Sequence, residues 1–558
     1  MVWAEARLDS GWPMNPGLLR GNPRRERRRS FSDPAGSLCP TCTGFCWSLL
    51  RGLRVLRPLR YSDRRLSPEG SVSPVAVSCR SPKEGRPSPS PGAARPDVTL
   101  GGHRLLGGAV DGRSEAPGMS MRRGARLLGF LCLWMPQLRC EGPVQPEQVH
   151  LSYPGDPTSM VVTWTTFDLA ESLVVFGKAP GKDLPHRASG NATRFVDGGS
   201  LGRAMFIHRV TLHGLLPGQN YLYRCGSPWG WSRPYGFRAL LNGSSWSPRF
   251  ALFGDMGLEN PQSLPRLQRE VQQGWYDAVL HIGDFAYDLH SDNATVGDAF
   301  MRKIEAVAAF VPYMTCPGNH EEKYNFSNYR SRFSMPGDTE SLWYSWDVGP
   351  AHLIAFSTEV YFYLDYGEQL VAKQFQWLER DLQEANRPAR RGERPWIITM
   401  GHRPMYCSNN DKDDCTQYES IVRKGLKPDR YGLEDLFFKY GVDLMLWAHE
   451  HSYERLWPLY DYKVYNGSTT APYTNPSVPV HIITGSAGCV ERLDPFIPDP
   501  REWSALRVED YGYARMQIVN KTHLWLEQVS DDQNGKVVDK IWLVKDRPGP
   551  GIDLRRKV

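Results

Sequence analysis

Tyr276-Asp277-Ala278-Val279-Leu280-His281-Ile282-Gly283-Asp284-Phe285-Ala286-Tyr287 is the stretch whose reading decides the fold. Its first part is an apolar run of buried-strand length, and it stops abruptly on Gly-Asp. The same grammar recurs on both sides. Strands read at 249–254, 276–282, 311–316, 351–357, 395–400, 442–447 and 479–484, and helices at 261–274, 294–309, 366–387 and 429–440. Short apolar strands alternating with longer helical segments predict an α/β sheet covered by helices. Leu370, Phe375, Leu378 and Leu382 recur at helical spacing in 366–387 and read as a core face.

Polar residues follow directly on five of these strands. Phe253 leads into Gly254-Asp255-Met256-Gly257, and Ile282 into Gly283-Asp284-Phe285-Ala286-Tyr287. Thr315 leads into Cys316-Pro317-Gly318-Asn319-His320-Glu321, Thr399 into Met400-Gly401-His402, and Trp447 into Ala448-His449-Glu450-His451. In open α/β sheets ligands bind at the carboxyl ends of strands, so five tips should converge. Taken singly the signals are ordinary: Gly-Asp and Gly-Asn are turn pairs, and a lone His402 is most simply structural. His449 and His451 set two imidazoles on one side of an extended segment, which suits a metal. The whole series, each member behind a strand, points to a metal centre.

Upstream, residues 145–238 read as strands. Apolar alternation in Met160-Val161-Val162-Thr163-Trp164 and Phe206-Ile207-His208-Arg209-Val210-Thr211-Leu212 is separated by the turns Pro154-Gly155-Asp156 and Pro217-Gly218-Gln219, as in a small β-sandwich. Downstream, 510–545 returns to strand alternation around the hairpin signal Asp532-Gln533-Asn534-Gly535.

Charge divides the chain. Residues 1–140 hold 23 Lys+Arg against 10 Asp+Glu, a net +13, and the remainder holds 44 against 51, a net −7. A nucleic-acid arm would fit the run Arg24 to Arg29, but every basic residue before 140 except Lys83 is an arginine set among Pro, Gly and Ser. Such a stretch cannot bury enough apolar surface to offset its chain entropy, so 1–118 is expected to be a disordered upstream extension and no nucleic-acid partner is expected. Met119-Ser120-Met121-Arg122-Arg123 followed by the apolar run Leu127 to Met135 has signal-peptide grammar, too short to span a bilayer. The working start is therefore expected at Met119 or Met121, with 119–140 as the signal and no transmembrane segment. Sequons at Asn191, Asn242, Asn293, Asn325, Asn466 and Asn520 all follow it, which fits a secreted or lysosomal glycoprotein. Five cysteines follow as well (Cys225, Cys316, Cys407, Cys415, Cys489); Cys407 and Cys415 bracket the polar loop SNNDKDD, which a disulfide would close.

The series GDMG, GDFAY, GNHE, TMGH, AHEH resembles the five-block signature of the purple acid phosphatases, a branch of the calcineurin-like metallophosphoesterases. Leu215-Leu216-Pro217-Gly218-Gln219-Asn220-Tyr221 resembles the turn into a late strand of fibronectin type III domains, and Tyr511-Gly512-Tyr513-Ala514 resembles the family's closing segment. The likeness extends over residues 145–545, and the tyrosine of GDFAY is its most specific element. Within the family the chain is more similar to the iron/zinc animal form and the plant enzymes than to the short mammalian tartrate-resistant form. The resemblance implies a fibronectin III-like domain at 141–240, an α/β metallophosphoesterase sandwich at 248–495, and a segment completing it at 496–548. It implies Fe(III) on Asp255, Tyr287 and His451, a divalent Zn, Fe or Mn ion on Asn319, His402 and His449, and Asp284 bridging the two. Ligand chemistry agrees, since carboxylate and phenolate suit a hard ion and imidazoles a softer one. Asn319 and His320 would contact substrate, with His320 bonding a phosphate oxygen or protonating the leaving group.

With metals at +5, three anionic ligands and a bridging hydroxide, such a centre would carry about +1 and attract a phosphate dianion. The expected activity is acid phosphatase: attack of a metal-bound hydroxide on a small phosphate monoester or phosphoprotein, without a phosphoenzyme. A phosphodiesterase or pyrophosphatase on the same centre, or a non-catalytic secreted glycoprotein, are the competing readings. The chain departs from the family at Ala448, where Gly is usual, and at Thr399, where Val is usual. It also lacks the histidines that plant enzymes carry after His402; Arg403 or Asn409 is expected to take their place toward substrate.

Overall fold

The computed structural model describes residues 142–426, 430–465 and 468–546. The expected extension 1–118, the signal-like segment 119–140 and the sequon Asn466 lie outside the described residues.

The first described unit is all β. One sheet orders Glu147–Ser152, Met160–Thr166, Ala204–Leu212 and Asn191–Val196; the other joins His186–Ser189, Leu173–Lys178 and Asn220–Ser227, with Tyr235–Arg238 pairing the last. Alternation in these strands sends Val162, Trp164, Val174, Val210 and Tyr223 into one core between the sheets. A fully buried side chain of this size contributes about 1.5–3 kcal/mol.

Two mixed sheets follow. In the first, Arg249–Phe253, Ala278–Ile282 and Tyr313–Cys316 are parallel, and Gly512–Ile518 then pairs antiparallel with Arg249–Phe253, Leu252 opposite Ala514. His523–Ser530 and Lys536–Val544 extend that sheet through the expected hairpin, whose Asn534 and Gly535 have positive φ. In the second, Ala351–Ala355, Trp396–Met400, Leu444–Trp447 and Val480–Thr484 are parallel. Tyr344–Val348 flanks them antiparallel on one side, and Tyr453–Leu456 with Ser504–Val508 on the other. Apart from the leading Arg249, the parallel strands are buried along their length, the pattern of sheets covered on both faces. Helices Leu264–Gln272, Thr295–Ala308, Gln369–Ala385 and Leu433–Lys439 stand where sequence periodicity expects them, each shorter by a few residues. Not anticipated were the helix Lys323–Arg332, whose first turn is left-handed at Tyr324, Asn325 and Phe326, and the strand at 453–456 directly behind His451.

The two sheets meet at the carboxyl ends of their parallel strands. Gly254 N donates to Thr484 O at 2.9 Å, which stitches one sheet to the other. A side chain at Gly254 would put its first carbon 2.3 Å from the Ala448 Cβ. The alanine at 448 therefore occupies space that Gly254 leaves open. Cys407 and Cys415 form a disulfide, and Cys225, Cys316 and Cys489 are free and buried.

Candidate metal centre

Asp255, Asp284, Asn319, His402, His449 and His451 all stand within four residues after a parallel strand, so a shared strand direction carries them to one place. The backbone bends sharply there. Asp255, Asp284, Tyr287 and His449 all have positive φ, between 52° and 71°, conformations that cost free energy and concentrate at functional sites. Gly318 lets the chain pass Asp284: a side chain there would lie 2.1 Å from Asp284 Oδ1.

Each of the three histidines is held from behind. His402 Nδ1 donates to Ile282 O at 2.8 Å, His451 Nδ1 donates to Arg492 O at 2.9 Å, and His449 Nε2 is hydrogen-bonded to Asp413. Fixing one ring nitrogen leaves the lone pair of the other pointing forward, the arrangement that orients metal-binding imidazoles. The forward nitrogens converge. His402 Nε2 lies 3.2 Å from His449 Nδ1, 3.1 Å from Asn319 Oδ1 and 3.2 Å from Asp284 Oδ2. On the other side, Tyr287 Oη lies 2.9 Å from His451 Nε2 and 3.2 Å from Asp255 Oδ1. Asp255 Oδ1 is 3.8 Å from His451 Nε2 and 4.0 Å from His402 Nε2, between the two groups.

Around His402 Nε2 the neighbours are all acceptors, so either a proton or a metal ion must sit among them. Burial works against protonation, yet the Asp284 and Asp255 charges raise the His402 pKa to about 10, which measures how strongly the place favours positive charge. Asp255 and Asp284 are 0% and 1% exposed, and their ion pairs among the described residues are with histidines alone. Buried carboxylates without a fixed cation cost several kcal/mol each, so the donor set fits bound metal. Burial, then the Asp255 and Asp284 charges, push the Tyr287 phenol well above 10; a highly charged cation beside it would reverse that.

His320 faces the same cavity of 320 Å³, which Asp284, Asn319, His449 and His451 also line. Its Nδ1 is bonded to Asp288 and its Nε2 is 3.9 Å from Asp284 Oδ2. Burial lowers its pKa, but the Asp284 charge and the Asp288 hydrogen bond outweigh that and bring it to about 9. Glu321 braces the neighbouring turn, its carboxylate accepting from the N–H groups of Asp284, Phe285 and Gly318 at 2.9–3.1 Å.

Arg403, expected toward substrate, is turned elsewhere. Its Nε donates to Glu359 at 3.0 Å and its Nη1 to Asp413 at 3.2 Å, Nη1 also lies 2.9 Å from His449 Nε2, and the guanidinium stacks over Phe362. It stands behind His449 and does not line the cavity. Asn409 is likewise committed, to Ser452 Oγ at 3.0 Å and Asp494 O at 3.2 Å. Asp288, Glu359 and Asp413 are the supporting groups that sequence reading missed. Only Asp288, one residue beyond GDFAY, stands close enough to a motif to have been suspected.

Three family models match the chain in order. They are the Purple acid Phosphatase, N-terminal domain over residues 146–239, the Calcineurin-like phosphoesterase over 248–453, and the Iron/zinc purple acid phosphatase-like protein C over 478–540. Acid phosphatase type 7 of Homo sapiens is 68% identical over 400 residues, 72% of this chain and 91% of that protein.

The chain belongs to the purple acid phosphatase family.

Acid phosphatase type 7 of Danio rerio is 63% identical, covering 73% of this phosphatase and 93% of its own length. Purple acid phosphatase 18 of Arabidopsis thaliana is 30% identical over 71% and 84% of the two chains. Among solved structures, a purple acid phosphatase from yellow lupin (Lupinus luteus) seeds aligns with a TM-score of 0.61 at 26% identity, over 73% of this chain and 75% of that one. By membership this is a hydrolase of the acid phosphatase class. Among the described residues no helix is long and apolar enough to cross a membrane.

Proposed function

We propose that the chain is a secreted or lysosomal binuclear acid phosphatase that hydrolyses phosphate monoesters. The observation that supports this most is the set of three histidines, each tied at its rear nitrogen and aimed forward beside two buried carboxylates. In this reading Asp255, Tyr287 and His451 hold Fe(III), Asn319, His402 and His449 hold a Zn, Fe or Mn ion, and Asp284 bridges them. Bound there, the two ions supply Lewis-acid charge for the phosphate oxygens and an acidified water as nucleophile. The chain's own groups do the rest. Asp288 keeps His320 Nδ1 occupied, so Nε2 faces the cavity, where it binds a phosphate oxygen or delivers a proton to the departing alkoxide. The Asn319 amide reaches the same space and orients the ester. Arg403 and Asp413 hold His449 in position, and Arg403, outside the cavity lining, contributes no direct substrate contact. Asn191, Asn242 and Asn520 are exposed, and Asn293 and Asn325 partly so, as glycosylation requires.

Comparing turnover of p-nitrophenyl phosphate with that of its bis-ester at mildly acidic pH tests the substrate class. The monoester should be favoured by at least about tenfold. A preference for the diester would move the assignment to phosphodiesterase.

A further inference from the structure

Beside the metal centre, and outside the residues assigned to it, Asp411, Glu450 and Asp494 each bring a carboxylate oxygen to within 4.8 Å of the others. They come from three segments: the loop closed by Cys407 and Cys415, the single position between His449 and His451, and the turn that supplies the Arg492 carbonyl to His451. Acidic clusters on a surface are common and by themselves indicate nothing. Glu450, however, is 1% exposed, and its Oε2 has no hydrogen-bond partner. Its Oε1 meets Cys415 Sγ at 2.9 Å, a disulfide sulfur with no proton to donate. Buried carboxylates are ordinarily satisfied, so a donor-free one set among two further carboxylates either shares a proton with them or holds a cation. Among the described residues no lysine or arginine forms an ion pair with any of the three; Asp494 pairs with His451. The same loop holds another buried oxygen without a donor, Asn409 Oδ1, whose amide nitrogen bonds Asp494 O at 3.2 Å.

We propose that Asp411, Glu450 and Asp494 form a third cation site, for a hard divalent ion of the calcium class, on the wall of the same cavity that the two-metal centre faces. The three donors are anionic oxygens, and the nearby imidazoles of His449 and His451 are already committed to Asp413 and to the Arg492 carbonyl, so neither is offered to favour zinc or copper. Oxygens on one calcium ion, each about 2.3–2.6 Å from it, lie up to roughly 5 Å apart, which the observed spacing allows. Magnesium demands near-octahedral geometry and keeps much of its water, so an irregular, partly exposed pocket suits calcium better. The ion would tie the disulfide loop to the segment carrying His449 and His451. Its role is structural, holding two histidines of the neighbouring centre through the residue between them.

The test uses the full chain with its iron and divalent ion in place, titrated calorimetrically with calcium chloride and then magnesium chloride near neutral pH. One calcium per chain should bind, with a dissociation constant on the order of 10⁻⁵–10⁻³ M, more tightly than magnesium. Iron and second-metal content, read by mass spectrometry, should not change. Asp411→Asn, on an exposed side chain, should weaken calcium binding by about tenfold or more, and Glu450→Gln should abolish it. Absence of saturable calcium binding by the wild type would overturn the proposal and leave Glu450 sharing a proton with its neighbours. Binding that displaces iron or the second metal, or that Asp411→Asn leaves unchanged, would equally overturn it.

Discussion

Asp413 sits on the far side of the His449 ring from the forward nitrogen, bonded to Nε2 and to Arg403 Nη1. Removing its charge leaves the imidazole in place but frees its tautomer and tilt. Asp413→Asn should therefore weaken binding of the divalent ion and lower kcat by about 10–100-fold, while iron content stays at one per chain. Metal titration followed by a rate assay measures both, and a change under about twofold in each would show that Asp413 merely fills space. At this scale the sequence was informative only where a residue follows an apolar strand. Asp255, Asp284, Asn319, His402, His449 and His451 were legible because strand direction alone brings them together. Asp413 and the Arg492 carbonyl lie in loops and Glu359 opens a single 3-10 turn, with contacts that span 36–44 residues, and no spacing rule reports such contacts.

Between elements, the hairpin Tyr344–Val348 and Ala351–Ala355 is fastened to the helix Gln369–Ala385 through Asp381, by Ser345 Oγ at 2.7 Å and by His352. His352 Nδ1 bonds Asp347 at 2.8 Å and Nε2 bonds Asp381 at 2.9 Å. Burial alone would lower its pKa, but the two hydrogen-bonded carboxylates outweigh that and hold it at about 9, above the ordinary 6.5. A raised folded value means the stabilisation is complete below pH 6.5 and is lost as pH climbs through about 9. The amount at stake is on the order of 3 kcal/mol. Thermal unfolding of the wild type should fall in midpoint across that window, and His352→Gln should flatten the fall; an identical slope in the variant would exclude this histidine as the cause. The strand and helix periods were readable here, yet His352 carried no sequence signal, because both of its partners are ordinary surface-type aspartates.

For the whole molecule, the β-sandwich and the catalytic unit are joined by buried polar contacts. Arg332 is 1% exposed, pairs with Asp298 of its own unit at 2.8 Å and donates across the junction to Gln148 Oε1 at 3.1 Å; Arg203 of the sandwich meets the same buried Asp298 at 2.5 Å, and Tyr223 Oη donates to Ala309 O at 2.8 Å. Breaking a buried pair of this kind costs about 3–5 kcal/mol, so the sandwich is held as a fixed part of the enzyme. Sequence patterning anticipated an all-β unit ahead of an α/β unit but not their docking, since Arg332 lies on a helix whose left-handed first turn breaks helical periodicity. The arrangement as a whole converges on one buried, acceptor-rich site that fits bound metal, proposed above to be two ions. Metal content per chain, determined by mass spectrometry on active protein purified without chelators, tests that claim most directly. The account predicts two strongly held transition-metal ions per chain, one of them iron. Protein that turns over phosphate monoesters with fewer than one bound ion per chain would contradict it.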